Sequence, residues 1–218
     1  MGIVWWSGYL ETNINVKTMD KIKTTHVGSL PRSKKLSEIL FKKDKNELFD
    51  QGELDKIIEE DVNKIVKKQI DIGIDIISDG EMSKISYATY VKDRLHGFSG
   101  ESERRAPKDL DEFPSYKEKI AKSGGTPTYT RPCCTADLKI KDTKSLTKDI
   151  SNLKSALKKN NHPKGFINSA SPGVISNFLP NKFYKNDYEY LEALSKIMKT
   201  EYDEITKNDL LLQIDCPD

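Results

Sequence analysis

The chain has 218 residues, long enough for one substantial core and near the upper end of what a single domain spans. Its 36 Lys+Arg against 34 Asp+Glu give a formal charge of +2, without the concentrated basic footprint that a nucleic-acid partner demands. Hydrophobic residues at 36% and charged residues at 32% suit a polar globular chain, and no run reaches the about 20 apolar residues of a membrane-spanning helix.

Residues 1–20 contain two tryptophans but neither a basic start nor a long apolar stretch, so they make a poor signal peptide. Met19 opens "MDKIKTTHVGSLPR", where a domain could begin; residues 1–20 are expected to be an extension or a misplaced start, and residues 21–218 one domain. "IKTTHVG", 22–28, is a short strand candidate that Pro31 ends, and residues 33–41 suit a short helix.

The clearest helix is 53–73, where Leu54, Ile57, Ile58, Val62, Ile65, Val66 and Ile70 recur at threes and fours. Its acids lie early and its lysines late, as the helix dipole favours, and Gly73 is a suitable stop. "IDIISDGE", 74–81, follows as a short strand and polar loop. A helix is expected over 84–95, then a long loop over 96–128 with a helix near 115–122.

A broken strand is expected over 128–136, a helix over 146–158, strand then loop over 165–173, a helix over 187–206 and a last strand over 210–215. Strand and helix alternate in the manner of a β/α architecture, and the glycine-rich fingerprint of a dinucleotide-binding sheet is missing after the early strands. Polar residues sit instead at strand ends: His26, Ser29, Asp79, Glu81, Thr135, Ser171 and Asp215. The expected fold is a (β/α)8 TIM-type barrel truncated after about the fifth strand, since eight strands close such a barrel.

Asp79, Glu81 and Asp215 at a barrel mouth could accept hydrogen bonds from a substrate ammonium or act as acid and base. The local alternative is that Asp79 before Gly80, and Asp215 before Cys216, only shape turns. His26 is either a buried, hydrogen-bonded imidazole or a substrate contact. Arg104 and Arg105 either receive an acidic substrate tail or form a solvated loop cluster. Tyr87, Tyr90 and Tyr129 could line a pocket or simply be buried.

Cys133 and Cys134 are adjacent and Cys216 is remote, which gives no secreted disulfide framework; a reducing, cytoplasmic setting is expected. Adjacent cysteines in a strand point apart, and neither Cys-x-x-Cys nor His-x-Cys spacing occurs, so no metal ligand is expected among these residues.

"TTHVGSLPR", "GIDIISDGE", "SPGVISNFLPN" and "LLQIDCPD", in that order, resemble the catalytic barrel of the cobalamin-independent methionine synthase family and its shorter relatives. The resemblance runs from about Lys21 to Asp218. It implies a zinc-dependent methyltransferase of methionine biosynthesis, moving a methyl group from a methylated, polyglutamylated folate to homocysteine. Zinc holds the acceptor as thiolate. By the same resemblance Gly28 and Ser29 would hold the amino acid's carboxylate, and Glu81 and Asp215 would contact its ammonium.

Two departures qualify this. Cys216 stands between Asp215 and Pro217 where methionine synthases carry glutamate, and some shorter relatives use coenzyme M, so another small thiol is an alternative acceptor. The family's zinc ligands lie on later strands and none matches a residue here. The chain is therefore expected to be an incomplete barrel, inactive alone, prone to aggregate or in need of a complementary C-terminal barrel half. A non-catalytic amino-acid-binding module is the remaining alternative.

Overall fold

The structure, a computed structural model, describes residues 22–102, 111–122 and 130–217. A parallel sheet forms its frame: β1 (Ile77–Ser78), β4 (Gly165–Ala170) and β5 (Leu211–Asp215) lie side by side in chain order. Thr25 makes a parallel bridge to Ile76, which sets residues 22–28 on the outer side of β1. The wall therefore runs from that segment through β1 and β4 to β5, and it is unclosed.

Helices connect its members. α1 (Lys34–Asp44) and α2 (Gln51–Asp71) lead into β1, α5 (Lys144–Lys159) into β4, and α6 (Pro172–Phe178) and α7 (Asp187–Lys207) into β5. Asp50 caps α2 through the Glu53 amide and Asn186 caps α7 through the Glu189 amide, so local chemistry marks where these helices start. The apolar stripes of α2 and α5 close on Ile77 and Ile167 of the sheet, forming one core with Leu54, Val66 and Leu153. A second core joins α6 and α7 to Cys134, Leu138 and Val91.

Three expectations need correction. Among the described residues the 22–28 segment makes only the Thr25 bridge, because Thr24 spends its carbonyl on the amides of both Asp75 and Ile76 and Gly28 (φ 96°) then turns the chain away. The helix expected over 84–95 shrinks to α3 (Val91–Arg94). There the Ser86 hydroxyl accepts from the amides of Ala88 and Thr89, a local turn that competes with helical hydrogen bonding.

The strand expected over 128–136 is β3 (Cys133–Ile140), and it lies outside the parallel wall. It pairs antiparallel with β2 (Leu95–Ser99), inside what the sequence suggests is loop. A bulge falls between His96 and Phe98, where Gly97 (φ 107°) is required: a Cβ there would sit 2.8 Å from the Ala136 carbonyl. The helix expected near 115–122 is α4 (Pro114–Lys122).

Candidate functional site

Two turns bring the first site residues together. Gly28 redirects the chain so that Ser29 follows, and the Leu30 amide bonds the Gly80 carbonyl at 3.0 Å, tying this loop to the one after β1. In the second loop the Asp79 carboxylate accepts from the Glu81 amide at 2.9 Å, while Gly80 (φ 65°) and Glu81 (φ 57°) are both left-handed. Such a backbone costs a non-glycine residue about 1–2 kcal/mol, so an inward-turned Glu81 is held against a local preference.

Glu81 is 1% exposed and Asn168, on the central strand β4, is 2% exposed. The Asn168 amide donates to Glu81 Oε1 at 2.5 Å and to Asp215 Oδ2 at 2.7 Å. Ser29 Oγ donates to Glu81 Oε2 in a short bond, and Gln213 Nε2 donates to Asp215 Oδ1 at 3.0 Å. The loop after the Thr25 bridge, the loop after β1, the inside of β4 and the end of β5 thus converge on one acid pair, bridged by neutral donors.

Cations stand behind it. Arg32 Nη2 donates to the Glu81 and Lys84 carbonyls at 2.7 and 2.5 Å, and the buried Lys84 ammonium donates to the Asn168 carbonyl. Neither forms an ion pair with Glu81 or Asp215 among the described residues. Burial lowers the Arg32 pKa, opposed by Glu81 and Asp79. Burial raises that of Asp79, with Lys84 opposing and Asp149 and Glu81 reinforcing.

Lys84 also lies 4.6 Å over the Tyr90 ring, which links the pair to a second network. Tyr90 donates to Glu201 Oε1 at 2.5 Å, as does Ser169 at 2.6 Å, and Arg94 bridges Glu201 at 2.7 Å and Asp149 at 2.5 Å. A cavity of about 790 Å³ opens beside this second network, between α2 and α5; Glu81, Asn168 and Asp215 do not line it.

Of the sequence-derived site residues, Gly28, Ser29, Glu81 and Asp215 fall together, with Asp79 shaping the turn beneath Glu81. Ser171 caps α6 through the Val174 amide at 3.1 Å, a structural role at the wall's rim. Thr135 does not join them: it is exposed on the β2–β3 hairpin and bonds Ser99 at 2.6 Å, because its strand is not part of the wall. His26 is half-buried and makes no hydrogen bond among the described residues, so the buried, bonded imidazole is not found.

Cys216 is exposed just past β5. Arg104, Arg105 and Tyr129 lie outside the described residues. Cys133 and Cys134 are both buried in β3, and burial pushes the Cys134 thiol up to about 11, far from a ready thiolate. Among the described residues no three His, Cys, Asp or Glu side chains converge to hold a metal ion, so these residues do not fit a zinc centre.

Sequence reasoning missed Asn168, Arg32, Lys84, Arg94 and Glu201. One signal existed: Asn168 is a lone amide in "GFINSA", a strand buried on both faces.

An open parallel wall with helices between its strands, and an acid pair at their carboxyl ends, defines the class as a partial β/α barrel. The chain belongs to the cobalamin-independent synthase catalytic domain family, whose model matches residues 22–206. It is similar to a B12-independent methionine synthase from Shewanella sp. W3-18-1, solved with selenomethionine. That match has TM-score 0.59 and 20% identity, over 78% of this chain and 44% of the other.

A solved chain from Listeria monocytogenes gives TM-score 0.59 at 19% identity, over 89% and 52%. Among curated proteins, the 5-methyltetrahydropteroyltriglutamate–homocysteine methyltransferase of Thermosynechococcus vestitus is 27% identical over 82 residues, 38% of this chain and 11% of that protein. The chain thus matches about half the length of those solved relatives and about a tenth of the curated one. No described helix is long and apolar enough to cross a membrane.

Proposed function

We propose that this chain supplies the amino-acid-binding wall of a methyltransferase that moves a methyl group from a methylated folate to the thiol of homocysteine. The observation that carries the reading is the convergence of Ser29, Glu81, Asn168 and Asp215 from two loops and two strands. Glu81 and Asp215 take the ligand's ammonium, and Ser29 with the Gly28 turn takes its carboxylate. Burial of Glu81 strengthens the ammonium contact by excluding competing water.

The acid pair favours homocysteine over coenzyme M, which has a sulfonate and no ammonium and would meet two like charges. Thiol activation is not assigned to these residues, since their donors do not fit zinc; they bind and orient. Val27 on one flank of the wall and Leu211 and Ile214 on β5 are exposed apolar residues, suited to pairing with further barrel wall.

Chemical-shift titration of the folded chain with L-homocysteine and with coenzyme M tests the reading. Millimolar binding of homocysteine alone, perturbing Ser29, Glu81 and Asp215, is expected. Stronger binding of coenzyme M, or no response to either in a folded sample, contradicts it.

A further inference from the structure

We propose that Asn168 is a positioning residue: its single side-chain amide sets the spacing and facing of the Glu81 and Asp215 carboxylates so that both grip one primary ammonium. This rests on the reading of that pair as the ammonium site.

The orientation of the amide follows from its partners. Ionised carboxylates only accept hydrogen bonds, so with Glu81 Oε1 at 2.5 Å and Asp215 Oδ2 at 2.7 Å the Asn168 group facing both must be its NH2. Its two N–H bonds diverge at a fixed angle, and one is spent on each acid. A hydroxyl has one hydrogen to give and could not do this.

The bridge is anchored from behind. Asn168 lies on β4 between β1 and β5, in register with Gln213, and the buried Lys84 ammonium holds its carbonyl. Only its two side-chain torsions are free, and at 2% exposure packing restrains those.

The bridge also selects which oxygens face a ligand. Glu81 Oε1 and Asp215 Oδ2 are reserved, leaving Glu81 Oε2 and Asp215 Oδ1. Those two are met by the hydroxyl of exposed Ser29 and the amide of half-buried Gln213, donors able to turn aside. An arriving ammonium bonds the freed oxygens while Asn168 keeps the carboxylates in place.

A neutral bridge matters here. An arginine would pair with both acids and offset part of their charge, as Arg94 does for Glu201 and Asp149. Asparagine orients the acids and leaves the charge for the ligand. Aspartate at 168 would add a third carboxylate, and glutamine would be one methylene too long for the same spacing.

The test is 15N-edited NMR of the side-chain amides in the 218-residue chain near neutral pH, with homocysteine titrations of parent and Asn168→Ala. The parent should show two well-separated, exchange-protected Asn168 amide protons. Asp215→Asn should move one and Glu81→Gln the other, a signature that general packing would not give. Asn168→Ala should weaken homocysteine binding about tenfold or more, as loss of hydrogen bonds to charged groups does.

Degenerate, fast-exchanging amide protons in the parent overturn the proposal, whether or not any variant folds. So do protons unmoved by both acid substitutions, or affinity within about twofold of the parent's in Asn168→Ala. If the parent binds no amino acid, the ammonium reading fails, and Asn168's control of the acid pair stands or falls on the amide protons alone.

Discussion

Glu201 and Asp149 share one arginine, while Glu81 and Asp215 share one asparagine. Both clusters include buried acids, and Lys84 reaches toward both, its ammonium on the Asn168 carbonyl and over the Tyr90 ring. In the first, each acid has a direct ion pair with Arg94, which offsets part of their charge and suits a structural tie between α3, α5 and α7. In the second, the acids are oriented but not neutralised. A buried carboxylate whose nearby cations bond backbone carbonyls rather than its own oxygens keeps those oxygens for a cationic ligand.

The largest effect should come from breaking the cancelled cluster. Arg94→Met leaves Glu201 and Asp149 buried without their cation and should cost about 3–5 kcal/mol, read from urea unfolding midpoints. A loss under about 1 kcal/mol would show that the cluster is not the fold's tie. Tyr90→Phe removes the hydroxyl that serves Glu201, Ser169 and the Ala170 amide, and should cost about 1–3 kcal/mol in the same assay.

The pH response should have opposite signs in two acids. Burial pushes Glu201 up, but Arg94, Lys84 and hydrogen bonds from Ser169 and Tyr90 outweigh it, leaving its pKa below the usual glutamate value. Its contribution is present above that usual value and is lost as pH falls through the folded pKa. Asp79 is raised, so the folded state binds its proton more tightly and the fold loses stability as pH rises from the usual aspartate value through the folded one. Asp79→Asn should therefore gain stability relative to the parent across that rise, and Glu201→Gln should lose it as pH climbs out of the acid range; unfolding midpoints against pH check both.

The smallest stability change should come from the uncancelled pair. Glu81→Gln removes a buried carboxylate that has no direct ion pair among the described residues, and should change stability by less than about 1 kcal/mol in either direction. It should nonetheless weaken amino-acid binding about tenfold or more, since hydrogen bonds to charged groups are the strong ones. Stability and affinity would then separate at this residue, as expected of a site built for a ligand.

The wall was legible because its helices carry one-sided apolar stripes: α2, expected over 53–73, spans Gln51–Asp71, and α7, expected over 187–206, spans Asp187–Lys207. The hairpin was not, because β2 reads "LHGFS", with a bulge glycine at its centre and no clean alternation to announce a strand. Ser29, Glu81 and Asp215 stood out as polar residues at expected strand ends, and the motif resemblance then joined them into one amino-acid site. Asn168, Arg94 and Glu201 depend on partners 32 to 111 residues away, a distance that no local pattern spans.

The most direct measurement compares L-homocysteine with its deaminated analogue, in which hydrogen replaces the amino group, by chemical-shift titration of the folded chain. If Glu81 and Asp215 form an ammonium site, homocysteine binds and shifts the Asn168 side-chain amide, and the analogue does neither at the same concentration. Equal binding of the two compounds would contradict the account.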